Sequence, residues 1–558
     1  MLRRLGAFAF AAAMIAFFLL RQLPVGFADA PDYILAFTGR MIADLGADRL
    51  PLATTLGGPE LGFALNNMLP LSLAALAALF HLFDSSPFAL LLVLTLLHLA
   101  VAASVGVLAH LWAPQRRTGW IAGLIAALHP AAVGAVFGLT SLSILLAAWL
   151  TMLAAIFTVL YLRRRGAALL LMLMITVSLA VSADPVGVLA IVSVIALAPA
   201  LPARERLAGR RWLPPLAALL GGFLPLLYLG AVTGLTPYLN QLRGWAATPV
   251  AHLAAWTLRA AALPFDISLG TSQEKIGFYV IALLGAGALT LAIYLTRARP
   301  RLWLWPVLAV LALLPHLISF NVPRPDADNA AFAAFYLPLM FLTLWLADLT
   351  PAPEHRKRRF VFLALLMIVL LPQTYLAGHN RAARAERVDR LGREINALLA
   401  PMPTGADVIF IAAPTDTKLL ESAFLAGQFR EPFPRQIRFR LLMGGRLYPA
   451  SRGTPLGQQF QSWVRLPFSE QNRLIGFSEN GKNLLDLTDQ VRARILLAED
   501  VIRREGYATT RWPLLDELAI NHWPDGECGE TPLDPNDVAW FVEGFFFRLH
   551  PHLGRLPF

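Results

Sequence analysis

The sequence predicts a polytopic α-helical membrane protein with a small α/β domain outside the membrane. Hydrophobic residues make up 57% of its 558 residues and charged residues only 15%, and the mean hydropathy is +0.58. Several apolar runs reach the roughly 20 residues that cross a bilayer as a helix. After residue 379 the pattern changes and charged residues become frequent. A soluble chain of this length would need several charged domain surfaces, and this composition cannot supply them.

The apolar runs predict about eleven membrane-spanning helices of the length a bilayer requires. They cover roughly residues 5–22, 87–112, 118–138, 141–162, 167–182, 185–201, 213–233, 276–296, 302–320, 330–348 and 359–377. Two shorter apolar stretches, 70–83 and 251–264, are typical of interfacial or re-entrant helices. The first run lacks a clear small-residue cleavage site, so we interpret it as an uncleaved helix rather than a signal peptide.

Clusters of arginine predict the orientation of these helices. With eleven crossings, all six clusters fall on the side of the N-terminus: Arg3–Arg4, Arg116–Arg117, Arg163–Arg165, Arg204–Arg211, Arg297–Arg301 and Arg356–Arg359. The positive-inside rule makes that side cytoplasmic and predicts a bacterial inner-membrane protein with a cytoplasmic N-terminus. Long loops at 23–86 and 234–275 then lie outside. The net charge of +11 is therefore explained by topology, and no nucleic-acid partner is predicted.

The C-terminal segment differs in composition from the rest. We assign residues 1–379 to a transmembrane domain and residues 380–558 to a soluble periplasmic α/β domain, since about 180 residues can bury a core. The patterns predict a charged helix at Asn380–Arg393, strands at Val408–Ala412, Ile437–Leu442 and Leu474–Phe477, and an amphipathic helix at Leu484–Glu505. Cys528, the single cysteine, excludes an intramolecular disulfide and has no visible role.

Carboxylates near the outer membrane surface are the first candidate functional residues, because ionisable groups are costly there. Asp29 and Asp32 follow the first predicted helix. Such an acidic pair could act as a general base or hold a cation; the alternative is a solvated loop in which Asp32 caps a helix starting near Ile34. Asp184 lies in a short outer turn before Pro185, where an N-cap role explains it equally well.

Other polar residues at this face have both structural and functional interpretations. Arg259 and Arg324 could bind a lipid phosphate bidentately or extend to the interface as ordinary anchors. Asn66 and Asn67 could bind sugar hydroxyls or start a helix.

Residues within the apolar runs also have a structural interpretation. His98 and His129 are predicted within apolar helices, where a hydrogen bond to a neighbouring helix is the commoner role. The doublet Gly221–Gly222 is more typical of helix packing than of a binding loop. The sequence has no Walker-type glycine loop and no GxSxG or HExxH motif, which argues against a built-in ATPase and against those hydrolase sites.

An acidic first outer loop, about eleven helices and an outer C-terminal domain together resemble the GT-C superfamily of membrane glycosyltransferases. The pattern is most similar to the bacterial protein O-mannosyltransferase-like branch, akin to enzymes with transmembrane helices and tetratricopeptide repeats. Over roughly residues 5–350 the matching motifs are Leu69–Leu71 with Phe83–Pro87, Leu96–Leu99, Ala127–Pro130, Ser182–Asp184, Leu258–Pro264 and Tyr336–Pro338. Uncharged residues replace charged or histidine motif positions of the family at Leu69, Ala132, Gly134, Ser141, Ser143, Ala183, Phe332 and Ala333.

The resemblance implies transfer of a sugar from a polyprenyl-phosphate carrier to an acceptor protein, glycan or lipid on the outer face. Asp29 or Asp32 would be the catalytic base, and Asp184 would orient the acceptor or a metal. Arg259 and Arg324 would bind the carrier phosphate. The remaining substrate-binding positions would be Asn66, Asn67, His129 and Tyr336. The resemblance leaves open whether a divalent cation takes part, and no other cofactor is implied.

Two other functions stay open at this point. The first is a non-catalytic GT-C-like scaffold for envelope-polysaccharide machinery, which the replaced charged positions favour. The second is a transporter or polymerase of lipid-linked glycans, although a transporter would be expected to show inverted repeats, and none is evident in the sequence.

Overall fold

The computed structural model describes residues 26–28, 32–33, 35–36, 70–83, 86–114, 118–129, 135–201, 212–233, 303–319, 330–350, 354–401, 407–410, 417–428, 438–441, 473–477 and 484–486. The chain divides into two compact units. The first comprises Met1–Val25 and Thr38–Ala383, and the second comprises Gly26–Phe37 and Arg384–Phe558.

Apolar helices build the first unit, and most begin and end close to the predicted bounds. They are α1 (Pro70–Phe83), α2 (Pro87–Trp112), α3 (Gly119–Leu128), α4 (Leu142–Arg164), α5 (Ala167–Ala183), α6 (Leu189–Ala200), α7 (Leu213–Thr233), α8 (Leu304–Ser319), α9 (Ala330–Leu349) and α10 (Arg356–Leu399). Short 3-10 helices at Leu139–Ser141 and Pro185–Val188 precede α4 and α6. The runs predicted at 5–22, 251–264 and 276–296 lie outside the described residues.

Three of the described helices are long and apolar enough to cross a membrane: Pro87–Trp112, Leu139–Arg164 and Lys357–Leu398. Shorter apolar helices of 10–17 residues accompany them. Large apolar side chains such as Leu220, Phe223 and Leu224 on α7 are more than half exposed, as expected for a surface that faces lipid. The chain is therefore a helical membrane protein; the count of eleven crossings stays a prediction.

Close packing holds α4, α5, α6 and α7 together. Their shared core includes Ala154, Val177, Val194 and Ala218, all of which are buried. Gly221 lies directly against the backbone of α5, where an added Cβ would overlap the carbonyl of Met174. The packing role predicted for the glycine doublet is confirmed here, because small residues let helix backbones approach closely in a membrane.

The helix predicted over residues 118–138 is interrupted at His129. α3 stops at Leu128, and His129 has an extended backbone with φ −73° and ψ 130°. The residue before a proline is pushed out of the helical region by the proline ring, and Pro130 follows His129. The prediction that His129 lies within a helix was therefore wrong.

The second unit contains a four-stranded sheet in the order β2-β1-β3-β4. Its strands are β1 (Asp407–Phe410), β2 (Arg438–Leu441), β3 (Arg473–Phe477) and β4 (Leu484–Asp486), and helix α11 (Thr417–Gln428) connects β1 to β2. β1 pairs in parallel with β2 and β3, whereas β3 and β4 are antiparallel. All three predicted strands are found. The helix predicted from Leu484 was wrong at its start, because pairing of residues 484–486 with β3 outweighs the local pattern; the rest of that range lies outside the described residues.

The last turns of α10 pack against α11 in the second unit. Gly392 and Gly427 face each other, and a Cβ at Gly427 would lie 2.9 Å from the Gly392 carbonyl oxygen. The Asn396 side-chain amide donates to the Gly427 carbonyl at 2.9 Å. These contacts attach the charged part of α10 to α11, the helix between the parallel strands β1 and β2.

Candidate functional site

Asp184 occupies the turn between α5 and the 3-10 helix at Pro185–Val188. Its Oδ1 accepts a hydrogen bond from the Val186 backbone N–H at 3.0 Å, and Pro185 takes the first helical position. The predicted N-cap is therefore confirmed, since a carboxylate there satisfies a backbone donor that has no partner within the helix.

The surroundings of Asp184 also give it an unusual electrostatic environment. Its side chain is only 8% exposed, and the Ser143 hydroxyl near the start of α4 hydrogen-bonds to it. Burial raises the pKa of Asp184, and the hydrogen bonds from Val186 and Ser143 oppose this rise without cancelling it. The sequence pattern did not predict the contact between Ser143 and Asp184, because the two residues lie on different elements. A second hydroxyl, that of Ser72, donates to the neighbouring Ala183 carbonyl at 2.7 Å.

A buried pair of polar side chains connects three helices of the first unit. His98 Nδ1 on α2 lies 2.6 Å from the Tyr336 hydroxyl on α9, and Nε2 lies 3.2 Å from the Ala127 carbonyl on α3. Because a carbonyl can only accept, Nε2 carries the proton and Nδ1 accepts from the tyrosine. The expectation that His98 bonds to a neighbouring helix is confirmed. Tyr336 is fully buried beside it, and its role in substrate binding stays a prediction.

Side chains from α2 and α10 bind backbone carbonyls around the break that follows α3. Thr374 donates to the Leu128 carbonyl, and Arg381 Nε donates to the Phe137 carbonyl at 3.2 Å. Together with the bond from His98 to Ala127, these contacts satisfy carbonyls near the end of α3 and in the link to α4. Arg381 is 7% exposed, so its charge is held in the interior of the first unit. Apart from the charged pattern that begins at Asn380, nothing in the sequence pointed to the contacts of Thr374 and Arg381.

In the second unit, the described residues of the acidic segment (26–28, 32–33 and 35–36) are buried. Asp32 is 1% exposed and lies in a helical turn with Tyr33, and Phe27 is fully buried. The Tyr33 hydroxyl donates to the Phe27 carbonyl at 3.3 Å, and the two rings pack edge to face at 5.2 Å. The alternative of a solvated loop with Asp32 as a cap was therefore wrong, because Asp32 is buried and already lies within a helical turn.

The charged part of α10 contacts the same acidic segment. Arg384 Nε donates to the Ala28 carbonyl at 3.3 Å, one residue before Asp29. A Cβ at Gly26 would lie 3.5 Å from Cβ of Asp389, so the chain passes close to that helix. Asp389 is itself paired with Arg393 at 3.0 Å.

The predicted site residues are only partly described. Asp184, the buried His129 and Tyr336 belong to the first unit, and Asp32 belongs to the second. The other predicted site residues lie outside the described residues: Asn66 and Asn67, Asp29, Arg259 and Arg324. Within the described ranges, no group of three or more His, Cys, Asp or Glu side chains is arranged to hold a metal ion.

The architecture and composition define a helical membrane protein, and comparison with known proteins adds two structural likenesses. No family model and no curated protein matches the sequence. The chain is similar to the crystal structure of the Archaeoglobus fulgidus oligosaccharyltransferase tethered to an acceptor peptide containing the NVT sequon. The TM-score is 0.41 and the identity 12%, over 84% of this chain and 69% of that one.

A structure of the same Archaeoglobus fulgidus enzyme with zinc and sulfate gives a TM-score of 0.40 at 12% identity, over 77% of this chain and 62% of that one. TM-scores below 0.5 are too low to assign a shared fold, so the functional argument rests on the residues of this chain.

Proposed function

We propose that this protein is a GT-C-type membrane glycosyltransferase that transfers a sugar from a polyprenyl-phosphate carrier to a protein or envelope-glycan acceptor on the periplasmic face of a bacterial inner membrane. The observation that carries the proposal is the buried acidic segment: Asp32 is 1% exposed and α10 contacts the segment that contains it. A carboxylate that is enclosed and costly to bury is typical of a functional site rather than of a loop.

Contacts near helix ends support the alternating topology that the proposal needs. Trp112 at the end of α2 packs on Trp305 at the start of α8, with ring centroids 5.1 Å apart. Trp305 Nε1 donates to the Asp348 carboxylate, near the end of α9, at 3.3 Å. Arg359 near the start of α10 lies over the Trp120 ring near the start of α3, 5.8 Å from its centroid. In each case the predicted topology assigns both partners to the cytoplasmic side.

Contacts at the opposite helix ends agree with the same topology. Ser72 near the start of α1 bonds to Ala183 at the end of α5, and Ser143 near the start of α4 bonds to Asp184. The predicted topology puts all four residues at the outer face. Asp184 would then be an outer carboxyl group that orients the acceptor, as the resemblance implies.

The chemistry proposed for the acidic segment is a single displacement at the anomeric carbon of the sugar. Asp29 or Asp32 accepts the proton of the acceptor hydroxyl while the acceptor oxygen forms a bond to that carbon. The bond between the anomeric carbon and the phosphate oxygen breaks, and its electron pair leaves with the polyprenyl phosphate. Arg259 and Arg324 would stabilise the negative charge that develops on the departing phosphate.

The double variant Asp29→Asn/Asp32→Asn tests this function. The full-length protein is purified with its lipids, and mass spectrometry first identifies any lipid-linked sugar that co-purifies. Transfer is then measured in proteoliposomes with polyprenyl phosphate carrying radiolabelled mannose and an envelope extract as the acceptor source. We expect the wild type to transfer label and the double variant to lose transfer, because asparagine cannot accept the proton.

The matched control is Glu386→Gln, which removes an exposed carboxylate from α10 by the same chemical change. Transfer by this control at the wild-type rate is expected. Wild-type-like transfer by the double variant would remove both aspartates from the mechanism. A wild type that transfers no label from any co-purifying or supplied carrier would instead support the non-catalytic scaffold.

A further inference from the structure

Arg384 contacts the acidic segment from a helix far along the sequence. Its Nε donates to the Ala28 carbonyl at 3.3 Å, and 356 positions separate the two residues in the chain. The arginine is half-buried at the start of the part of α10 that belongs to the second unit. A guanidinium bound to a backbone carbonyl fixes the main chain itself, and so influences the residue that follows. That residue is Asp29.

Two other contacts fix the flanks of the same short segment. The Tyr33 hydroxyl bonds to the Phe27 carbonyl at 3.3 Å, which joins the two ends of the segment. Asp389, five residues beyond Arg384 on the same helix, lies beside Gly26. Consecutive residues Gly26, Phe27 and Ala28 therefore each have a tertiary contact, and two of these contacts come from α10.

We infer that Arg384 is a positioning residue that holds the main chain at Ala28, in the same short segment as the buried Asp32, and so supports the geometry required for proton abstraction. The inference rests on the proposed function and extends it to a residue outside the sequence motifs. Arg384 donates to the Ala28 carbonyl and so acts through the backbone at Ala28. A displacement of about 1 Å at a reacting group can cost roughly a hundredfold in rate, so loss of this hydrogen bond is expected to lower kcat.

The test compares Arg384→Ala, Arg384→Lys and Arg390→Ala in the full-length protein, reconstituted in proteoliposomes. Arg390 is an exposed arginine of the same helix and is the matched control. With polyprenyl phosphate carrying radiolabelled mannose as the donor, Arg384→Ala is expected to lower kcat by about tenfold to a hundredfold while KM for the donor stays unchanged. Arg384→Lys retains a cationic donor and is expected to recover part of the loss, whereas Arg390→Ala should match the wild type.

Hydrogen–deuterium exchange of residues 26–37 in the same samples gives a second readout. Faster exchange in Arg384→Ala but not in Arg390→Ala is expected, because the bond to Ala28 is lost. A wild-type kcat in Arg384→Ala would overturn the positioning role while leaving the proposed function intact, as would unchanged exchange of this segment. If the wild type itself transfers no sugar, the proposed function fails and the positioning role fails with it.

Discussion

At the scale of single residues, buried polar groups mark where this chain departs from an ordinary apolar bundle. His98 and Tyr336 satisfy each other and the Ala127 carbonyl inside the first unit. Asp184 caps a helix while it also contacts Ser143. Each buried group is costly unless it has partners. At Asp184, hydrogen bonds from the Val186 N–H and from Ser143 offset part of the cost of burying the carboxyl group.

The pH dependence of stability is expected to report on Asp184. Burial raises its pKa in the folded protein, so the protonated form is favoured there relative to the unfolded chain. The stability that this group contributes is therefore fully present below its unfolded pKa, and is lost as pH rises through the folded pKa. We expect Asp184→Asn, which keeps an oxygen acceptor for Val186, to gain thermal stability relative to the wild type between acidic and neutral pH.

The comparison variant for this experiment is Asp184→Ala, measured by thermal unfolding in the same detergent. It removes the acceptor, and is expected to lose about 1 kcal/mol relative to Asp184→Asn at every pH, as for other lost N-caps. A constant difference between wild type and Asp184→Asn across the pH range would contradict the raised pKa.

At the scale of elements, contacts between helix backbones decide how the described helices of the first unit pack. An added Cβ at Gly187 would overlap the Ala180 carbonyl, and one at Gly221 would overlap the Met174 carbonyl. Van der Waals packing drives helix association in lipid, because lipid tails are as apolar as the side chains. Glycines at these positions permit an approach that a larger residue would prevent.

Gly221→Ala is therefore expected to destabilise the bundle by about 1–3 kcal/mol, as for other overpacked cores. Its Cβ would also lie 3.1 Å from the Met174 Cα, and backbone cannot move aside as a side chain can. Gly222→Ala is expected to cost less, because its Cβ would meet the end of the flexible Ile191 side chain. The measurement is thermal unfolding of each purified variant.

The control for these variants is Gly166→Ala, in the turn before α5. An added Cβ there would have its nearest neighbour at 3.8 Å, on the Leu169 side chain, and the backbone is extended with φ −137°. We expect Gly166→Ala to unfold at the same temperature as the wild type. Equal losses at all three glycines would show that contact with Met174 does not set the cost.

At the scale of the whole molecule, the predicted orientation rests on the distribution of positive charge. Arg164 and Arg358 are exposed near ends of α4 and α10 that the positive-inside rule makes cytoplasmic. Ser86, before α2, and Arg390 are predicted to lie on the outer side.

This orientation is testable by cysteine labelling in a Cys528→Ser background, since Cys528 is the single cysteine. We expect a membrane-impermeant maleimide to label Ser86→Cys and Arg390→Cys in intact spheroplasts. Arg164→Cys and Arg358→Cys should react only after the membrane is permeabilised. Labelling of Arg358→Cys in intact spheroplasts would contradict the alternating topology.

The positions of most described helices could be predicted from the sequence, because length and hydropathy decide which segments enter a bilayer. The Asp184 cap could also be predicted, since capping depends on residues adjacent in the chain. Local patterns failed where a tertiary or steric effect was stronger. Pro130 ended α3 before His129, and pairing with β3 made Leu484–Asp486 a strand.

Which polar side chains contact one another could be seen only in the folded structure. The bond from Arg384 to Ala28 and the contact between His98 and Tyr336 join residues 356 and 238 positions apart. A single sequence does not show which distant residues form hydrogen bonds, because these partners depend on how the helices pack and not on spacing along the chain. The burial of Asp32 was likewise not predicted from the sequence, since burial depends on the folded structure around a residue.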